Sequence, residues 1–450
     1  MVGKQKHVFL VALLLSLLPI FVSAQWLETT ITVGDFPGAL VYNPTNNKVY
    51  CANEGSDNVT VIDGATNSVI TTIQVGGDPG ALVYNSTNNK VYCANFVSNN
   101  VTVVDGTTDS VITTIKVGTG PYPLVYNPTN NKVYCANVYI NNVTVIDGAT
   151  NSVITTIPVG GWPGALVYNS TNNKVYCANC LSDNVTVIDG ATNSVITTVT
   201  VGTGIRALVY NPTNNKVYCA NCNSDNVTVI DGATNSVITT IAAGSRPWTF
   251  VYNPTSNKVY CANRESDNVT VIDGATNSVI TTITVGDWPR ALVYNSTNNK
   301  VYCANWSSDN VTVIDGATNS VITTITVGDA PYDFAWNPVQ NRTYVVNHLS
   351  SSVSVIRDVT GIEEDRRHDV AHPMLQIFPN PAKTFFTITS PARIRGIIIF
   401  DVLGKLLKVA DLTELKNEQT ISLEHISSGI YFLKVNTADT EFIIKLIVTK

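Results

Sequence analysis

Short runs of apolar residues alternating with polar ones fill the chain from residue 26 to residue 358, and clusters of Asn, Pro, Gly and Asp separate them. The runs are rich in Val, Ile, Thr and Tyr, which is typical of β-strands bounded by turns. One unit is ALVYNPTNNKVYCAN, two variable residues, and then SDNVTVIDGATNSVITTITVG. Its four runs predict strands A to D, which in the first unit cover residues 39–43, 48–53, 58–63 and 68–75.

The unit repeats every 42 residues. The segment VYCAN begins at seven positions, and a degenerate copy, TYVVN, begins at Thr343; the seven starts are Val49, Val91, Val133, Val175, Val217, Val259 and Val301. A period near 40 with four strands per unit is typical of β-propeller blades. The eighth unit lacks strand D, whereas residues 27–33 have the sequence of a strand D. We therefore predict an all-β, eight-bladed propeller over residues 25–358, closed by its N-terminal strand, with Thr30 paired near Ser354.

The repeats resemble the YVTN family of propeller repeats. The resemblance covers residues 25–358 and rests on the motif copies Tyr50-Cys51-Ala52-Asn53 and Thr343-Tyr344-Val345-Val346-Asn347. It implies the propeller fold. Some relatives of this repeat family house haem or quinone cofactors, but propellers host many unrelated activities, so the resemblance does not decide the function.

Nine cysteines raise the question of thiol chemistry, because Cys177 and Cys180, and again Cys219 and Cys222, form C-x-x-C pairs. Seven of the nine occupy one column of strand B, which Val345 fills in the eighth unit. Val replaces a buried apolar side chain but not a ligand, so this column predicts core packing. Cys180 and Cys222 belong to a variable loop column, where we expect native reactivity or oxidation. Three interpretations of them stay open: no special chemistry, a local disulfide and a metal site.

Two loops of each unit vary while the rest barely changes. The D–A loop and the first two B–C loop positions differ between units, and the alternating strand directions place both loops on one face of the ring. The substitutions favour Trp, Tyr and Arg, which anchor interfaces. We predict a ligand-binding face at Trp162, Arg206, Arg246, Trp248, Arg264, Trp288, Arg290, Trp306, Tyr332 and His348. The alternative is that these aromatic residues only cap the blades.

Composition and charge narrow the function. The formal net charge is -6, 13% of residues are charged, and no basic patch occurs, so nucleic acid is not a predicted partner. His348 is the one histidine of the propeller and no nucleophile motif stands out, so we predict no catalytic residue, no metal site and no cofactor. The rival hypothesis is a cofactor-dependent or hydrolytic enzyme that uses Asp35, Asp78, Asp287 and Asp329. A purely structural surface protein is a third hypothesis.

Both ends of the chain differ from the repeats. Residues 1–24 combine Lys4 and Lys6 with an apolar run and a small-residue cleavage site, which predicts an export signal peptide. That apolar run is too short for a comfortable membrane span, and no later segment approaches the required ~20 apolar residues. Residues 359–372 are charged and predict a linker. Residues 373–450 alternate apolar and polar positions, which predicts a small antiparallel β-sandwich.

The C-terminal segment resembles the sorting domain of the type IX secretion system. The resemblance rests on Pro379-Asn380-Pro381, the segments DVLGK at 401–405 and SGIY at 428–431, and a final strand that ends in Lys450. It implies a Gram-negative host, the type IX secretion machinery as a partner, and removal of the domain, often with anchoring on the outer cell surface. The alternative is an unrelated binding sandwich. We predict a secreted or surface-anchored, monomeric, non-catalytic propeller that binds a protein, peptide or glycan.

Overall fold

The computed structural model describes residues 25–358, 376–390, 393–401, 405–410, 416–437 and 441–450. The predicted signal peptide and linker lie outside these residues. Two compact units are present, one over Gln25–Asp358 and one in the chain after it. Within the described part of the chain, no helix is long and apolar enough to cross a membrane.

The first unit consists of 32 strands and one 3-10 turn, Glu54–Ser56. The N-terminal strand is β1 (Gln25–Thr32). Blades 1 to 4 contain β2 (Pro37–Asn43), β3 (Lys48–Asn53), β4 (Asn58–Asp63), β5 (Val69–Gln74), β6 (Pro79–Asn85), β7 (Lys90–Asn95), β8 (Asn100–Asp105), β9 (Val111–Lys116), β10 (Pro121–Asn127), β11 (Lys132–Asn137), β12 (Asn142–Asp147), β13 (Val153–Pro158), β14 (Pro163–Asn169), β15 (Lys174–Asn179), β16 (Asn184–Asp189) and β17 (Val195–Thr200).

The second half of the ring repeats the pattern. Blades 5 to 8 contain β18 (Ile205–Asn211), β19 (Lys216–Asn221), β20 (Asn226–Asp231), β21 (Val237–Ala242), β22 (Pro247–Asn253), β23 (Lys258–Asn263), β24 (Asn268–Asp273), β25 (Val279–Thr284), β26 (Pro289–Asn295), β27 (Lys300–Asn305), β28 (Asn310–Asp315), β29 (Val321–Thr326), β30 (Pro331–Asn337), β31 (Arg342–Asn347) and β32 (Ser352–Asp358). Strands B and C have the predicted bounds. Strand A begins two residues earlier than predicted, because Pro37 still pairs with Asn53 across a β-bulge.

The ring closes as predicted. Strand β1 is the outermost strand of blade 8, whose order is β1-β32-β31-β30, and Thr30 pairs with Ser354. Each innermost strand contacts the innermost strands of both neighbouring blades, including β2 of blade 1 with β30 of blade 8. The prediction of an eight-bladed all-β propeller is therefore confirmed.

Eight hydrophobic cores hold the ring together, one between each pair of neighbouring blades. Strand B contributes to two of them, because its side chains alternate between the two faces of the blade. Tyr50 packs with Cys93 in the core between blades 1 and 2, whereas Cys51 packs with Tyr344 in the core between blades 8 and 1. All seven cysteines of the column are fully buried, as the packing interpretation predicts.

The buried thiols also have a polar contact that the sequence analysis missed. In six of the seven blades the thiol donates to the side-chain oxygen of Asn two residues later, as Cys51 does to Asn53 Oδ1 at 3.5 Å. In blade 8, where Val345 replaces the thiol, the buried Oδ1 of Asn347 has no hydrogen-bond partner among the described residues. Asn221 Oδ1 of blade 5 likewise has no partner among the described residues, although Cys219 occupies the column there, so the thiol contact accompanies the packing and is not required for it.

The two extra cysteines differ from each other in exposure. All nine cysteines are free thiols, and Cys180 is half-buried in its loop. Cys222 is 5% exposed, so the expectation of native reactivity is wrong for this residue on steric grounds.

The face of the ring formed by the A–B and C–D turns, called the uniform face below, joins neighbouring blades through hydrogen bonds, which together form the inter-blade clasp. Asn43 Nδ2 donates to Asn89 Oδ1 of the next blade at 2.8 Å, and an equivalent bond links each of the eight blades to its neighbour. Lys90 donates to the carbonyl oxygen of Gly148 and to Asn151 Oδ1 of the next blade. The A–B and C–D turns thus repeat because each must fit its neighbour.

The second unit is a small sandwich, as predicted. One sheet has the order β33-β34-β37 and the other β36-β35-β38-β39. The strands are β33 (Gln376–Phe378), β34 (Phe385–Thr389), β35 (Ile394–Asp401), β36 (Leu406–Ala410), β37 (Glu418–Ser422), β38 (Gly429–Thr437) and β39 (Glu441–Val448). Both sheets contribute to one core, for example through Phe386 and Leu433. Asn380 Oδ1 accepts the backbone N–H of Ile447, which ties the Pro-Asn-Pro segment to the last strand.

Candidate ligand-binding face

Backbone hydrogen bonds fix the variable loops to one another. The N–H of Trp288, in the D–A loop, donates to Asp267 Oδ1 at 2.9 Å, and the N–H of Trp306 donates to the carbonyl oxygen of Trp288 at 3.0 Å. The same two links recur one blade earlier, from Arg246 to Asp225 Oδ1 and from the next B–C loop back to the Arg246 carbonyl. The variable side chains therefore project from a rigid frame, which lowers the ordering cost of binding.

Four of the predicted residues lie on strands and not on loops. Arg206, Trp248, Arg290 and Tyr332 are the second residues of β18, β22, β26 and β30. The sequence analysis placed them in the D–A loop because it began strand A two residues too late. Since these are the innermost strands, the four side chains lie at the mouth of the central channel, beside the true loop residues Arg264, Trp288, Trp306 and His348.

Trp248 is the centre of the site. The guanidinium carbon of Arg206 lies 4.3 Å from the centroid of its indole ring, that of Arg264 at 4.4 Å and that of Arg290 at 5.0 Å. Each distance is within the ~6 Å range of a cation–π contact. Three blades therefore place one arginine each around a single aromatic ring.

The cluster continues in both directions around the mouth. Arg264 also lies 4.2 Å from the Trp288 ring, and Arg290 lies 4.0 Å from the Tyr332 ring. Tyr332 stacks on His348 with a centroid distance of 5.1 Å. Eight of the ten predicted residues are thus in continuous contact: Arg206, Trp248, Arg264, Trp288, Arg290, Trp306, Tyr332 and His348.

The other two predicted residues lie outside this cluster. Trp162 contacts Tyr139 edge-on at 5.4 Å, and Tyr139 contacts Phe96, which makes a second aromatic group on blades 2 to 4. Arg246 is exposed and forms a 2.7 Å ion pair with Glu265. An exposed pair of this kind contributes little to stability.

Sequence reasoning missed five residues of this face: Phe36, Glu54, Tyr122, Tyr139 and Asp333. Phe36 packs against His348 at 5.4 Å, and burial lowers the pKa of that histidine. Tyr122 is the second residue of β10, the position that Trp248 occupies in β22. Phe36, Glu54, Tyr139 and Asp333 each differ from their counterparts in all other blades, and Tyr122 shares its residue type only with Tyr332, so a full comparison of these columns could have found them.

The arginines around Trp248 are not neutralised by the protein. Among the described residues, Arg206, Arg264 and Arg290 have no carboxylate within ion-pair distance. Burial lowers the pKa of Arg264, and the nearby Arg290, Arg246 and Arg206 lower it further. The site therefore has three positive charges, none of which is in an ion pair with a described carboxylate.

Acidic groups lie on the other side of the mouth. Burial raises the pKa of Glu54 to about 7, with a further increase from Asp78 and an opposing effect of Arg290. A Cβ atom on Gly38 would lie 2.1 Å from Glu54 Oε1, so this glycine makes room for the carboxyl group. Asp333 accepts the Leu40 N–H at 2.9 Å, and burial raises its pKa to about 6.

Large residues occupy a strained backbone position on this face. The turning residue of the D–A loop has a positive φ in every blade, and in two blades it is glycine, Gly120 and Gly204. Elsewhere the same position holds Phe36 at φ 48° and Trp162 and Trp288 at 55°. A left-handed conformation costs a non-glycine residue roughly 1–2 kcal/mol. Bulky side chains here reduce stability, which is characteristic of functional positions.

The acids of the enzyme hypothesis lie in four different loops. Asp35 Oδ1 accepts the hydroxyl of Ser351, and burial and Asp57 raise the pKa of Asp78. No hydrogen bond in the described part of the chain joins any two of Asp35, Asp78, Asp287 and Asp329. Within the same residues, no three His, Cys, Asp or Glu side chains converge as metal ligands would.

Residues 376–449 match the family described as "Secretion system C-terminal sorting domain". The C-terminal unit is a type IX sorting domain. The protein is therefore secreted or attached to the outer cell surface, and the type IX secretion machinery is its partner in export. The sorting domain accounts for the second unit and leaves the function of the propeller to be inferred from its own surface.

The propeller fold has a solved counterpart. The chain is similar to a structure of Kuenenia stuttgartiensis hydrazine synthase, with a TM-score of 0.51, 18% sequence identity, and coverage of 72% of this chain and 96% of that chain. At this identity the similarity shows the fold alone. No curated protein matches the chain. The YVTN assignment of the repeats stays a prediction.

Proposed function

We propose that the propeller is a non-catalytic recognition domain that binds a protein, peptide or glycan outside the cell. It does so through the face formed by the D–A and B–C loops, called the variable face below. The observation that carries this proposal is the continuous cluster of eight variable residues around Trp248. Arg, Trp and Tyr dominate the energetics of interfaces, and they concentrate here on one end of the ring.

Exposure argues against a capping role for these aromatic residues. Trp288 is 42% exposed and Trp162 is 36% exposed. A residue that only caps a blade gains stability by being buried. These two residues instead remain half in solvent, in a backbone conformation that costs stability.

The rigid frame supports binding in preference to catalysis. The D–A and B–C loops are joined by backbone hydrogen bonds, so the site is formed before a ligand arrives. The acids that an enzyme would use are spread over separate loops, and general acid–base catalysis needs its groups within hydrogen-bond reach of one substrate.

A ligand screen on paired variants tests the proposal. The protein from residue 25 onward, the double variant Trp288→Ala/Trp306→Ala, and a control Val279→Ala/Ile280→Ala are applied to arrays of extracellular proteins, peptides and glycans. The control residues are 43% exposed on the outermost strand of blade 6, away from the variable face. We expect a ligand that the protein and the control retain and the Trp variant loses. Identical profiles for all three proteins would refute the proposal.

A further inference from the structure

Three guanidinium groups that form no ion pair with a described carboxylate lie around one aromatic ring of the variable face. Arg206, Arg264 and Arg290 surround Trp248, and none of them donates a hydrogen bond to another described residue. A guanidinium has five N–H donors in a planar fork that fits a carboxylate with two parallel bonds. The cluster therefore presents up to 15 donors and three positive charges to a ligand, which favours an anionic group over a neutral one.

Two carboxyl groups near the mouth of the channel, Glu54 and Asp333, form no ion pair with these arginines. Glu54 forms no ion pair among the described residues, although Arg290 is close enough to affect its ionisation. Asp333 lies on the innermost strand of blade 8, and among the described residues it bonds backbone N–H groups of β2 and β30. Guanidinium and carboxyl groups thus both belong to this face, and a complementary ligand carries an anionic group together with a cationic or hydrogen-bond-donating one.

Apolar side chains cover the remaining part of the face. Val97 is 66% exposed, Leu181 74% and Ile140 46%, and all three lie in the B–C loops of blades 2 to 4 beside the Trp162 group. Aliphatic side chains gain little from contact with a polar ligand, but they are stabilised by burial against another apolar group. The face therefore combines a cationic part, an acidic part and an aliphatic part.

We propose that this face binds a peptide segment whose acidic side chain is held by Arg206, Arg264 and Arg290, while an apolar residue elsewhere in the same segment packs on the exposed Val97, Ile140 and Leu181 side chains. A peptide supplies carboxylate, ammonium and aliphatic groups at spacings of a few ångströms. An acidic polysaccharide supplies anions and hydroxyl groups, but neither an ammonium group nor an aliphatic side chain for the rest of the face. This inference rests on the proposed function and adds the chemistry of the ligand to it.

Selection from a random heptapeptide library displayed on phage tests the inference. The target is the immobilised protein from residue 25 onward, and the affinity of the enriched peptide is then measured by fluorescence anisotropy. We expect enrichment of heptapeptides that combine Asp or Glu with Leu, Ile, Val or Phe. We also expect Arg264→Gln/Arg290→Gln to weaken binding at least about tenfold, since charge-assisted hydrogen bonds are lost. The charge control Lys116→Gln, on the outermost strand of blade 2, should bind like the unmodified protein.

Two further binding measurements distinguish a carboxylate from other groups at the arginines, and a peptide ligand from a saccharide. Arg290→Lys keeps the charge and loses the planar fork, so it should weaken binding less than Arg290→Gln if the site holds a carboxylate. Oligogalacturonate and dextran sulfate serve as saccharide probes and should bind more weakly than the enriched peptide. Enriched peptides without acidic residues, or affinities insensitive to the arginine changes, would overturn the inference. Tight saccharide binding that requires Trp288 would overturn it too but would leave the proposed function standing.

The stability of the variants is checked by intrinsic fluorescence. All six tryptophans lie between residues 26 and 336, so unfolding followed by tryptophan emission reports on the propeller alone. Unchanged unfolding midpoints together with lost binding support the site. If only variants with lowered midpoints lose binding, the arginines act on folding and the inference is refuted.

Discussion

Lys300 forms a 2.7 Å ion pair with Asp358 at the closure of the ring, where both side chains are almost fully buried. In most other blades the corresponding lysine donates to a neutral amide, as Lys258 does to Asn319 Oδ1 at 3.0 Å. Blade 8 has no C–D turn and therefore no such Asn. Asp358 takes over its role, and its second oxygen accepts the hydroxyl of Tyr302 at 2.8 Å.

The stability of the closed ring should depend on the ion pair between Lys300 and Asp358. Asp358→Ala leaves the Lys300 ammonium buried without its counter-ion, which typically costs 3–5 kcal/mol, so we expect a loss of about that size in the free energy of unfolding. Asp358→Asn retains an acceptor and should cost much less. Urea denaturation followed by tryptophan fluorescence measures both. Equal stability of the Ala and Asn variants would contradict the role of the charge.

The hydrogen bonds of the inter-blade clasp should contribute to the free energy of unfolding of the propeller. Asn319 accepts the Tyr260 hydroxyl at 2.8 Å, and its own φ is 61°. We expect Asn319→Ala to destabilise the propeller by about 1–3 kcal/mol, the cost of an unsatisfied buried group, and Asn319→Gly to cost less because glycine relieves the left-handed backbone. Thermal unfolding compares the two. An unchanged midpoint for Asn319→Ala would show that the clasp contributes nothing.

The nine thiols should differ in their reactivity towards a maleimide according to their solvent exposure. Burial raises the pKa of all seven cysteines of the column well above the usual range, and Cys180 is the most exposed thiol. We expect a bulky maleimide to label about one thiol in the native protein and all nine after denaturation. Cys180→Ser should remove the native label. Native labelling of several thiols would contradict the packed column.

Glu54 should make the stability of the propeller depend on pH. Its pKa is raised from 4.5 to about 7 in the fold, so its buried charge destabilises the protein above pH 7 and this cost disappears as the pH falls towards 4.5. We expect Glu54→Gln to raise the melting temperature relative to the unmodified protein more at pH 8 than at pH 5. Glu265→Gln, an exposed carboxylate, is the control. An equal difference at both pH values would contradict the burial of Glu54.

The sequence was sufficient for the fold because each blade is a local unit repeated with little change. The missing strand D after Asp358 and the matching segment at Trp26 even specified the closing pair, Thr30 with Ser354. The ion pair that accompanies the closure was not foreseen. Lys300 and Asp358 are 58 residues apart in the sequence. In most blades the corresponding lysine bonds a neutral Asn instead of an acid, so the repeat pattern gave no sign of this ion pair.

The face was predicted as a list of residues but not as an arrangement. Variation between blades identified the ten positions, whereas it could not show that Arg206 and Arg290 share the ring of Trp248 or that Trp162 lies apart. These contacts depend on how far each side chain reaches across the channel mouth. The sequence showed that the turns of the opposite face barely change but not why, and the structure gives the reason: Asn67, for example, accepts the Tyr344 hydroxyl at 2.7 Å across the closure.

The most direct test of the recognition role is the affinity of an identified ligand for single variants of the face, measured by isothermal titration calorimetry. Trp288→Ala and Trp306→Ala should each weaken binding by ~2 kcal/mol or more, the size of an aromatic hot spot, without lowering the unfolding midpoint. Ile280→Ala, an equally exposed change on the outer strand, should leave the affinity unchanged. Full affinity in both Trp variants, together with a loss of binding on changes to the A–B and C–D turns, would contradict the account.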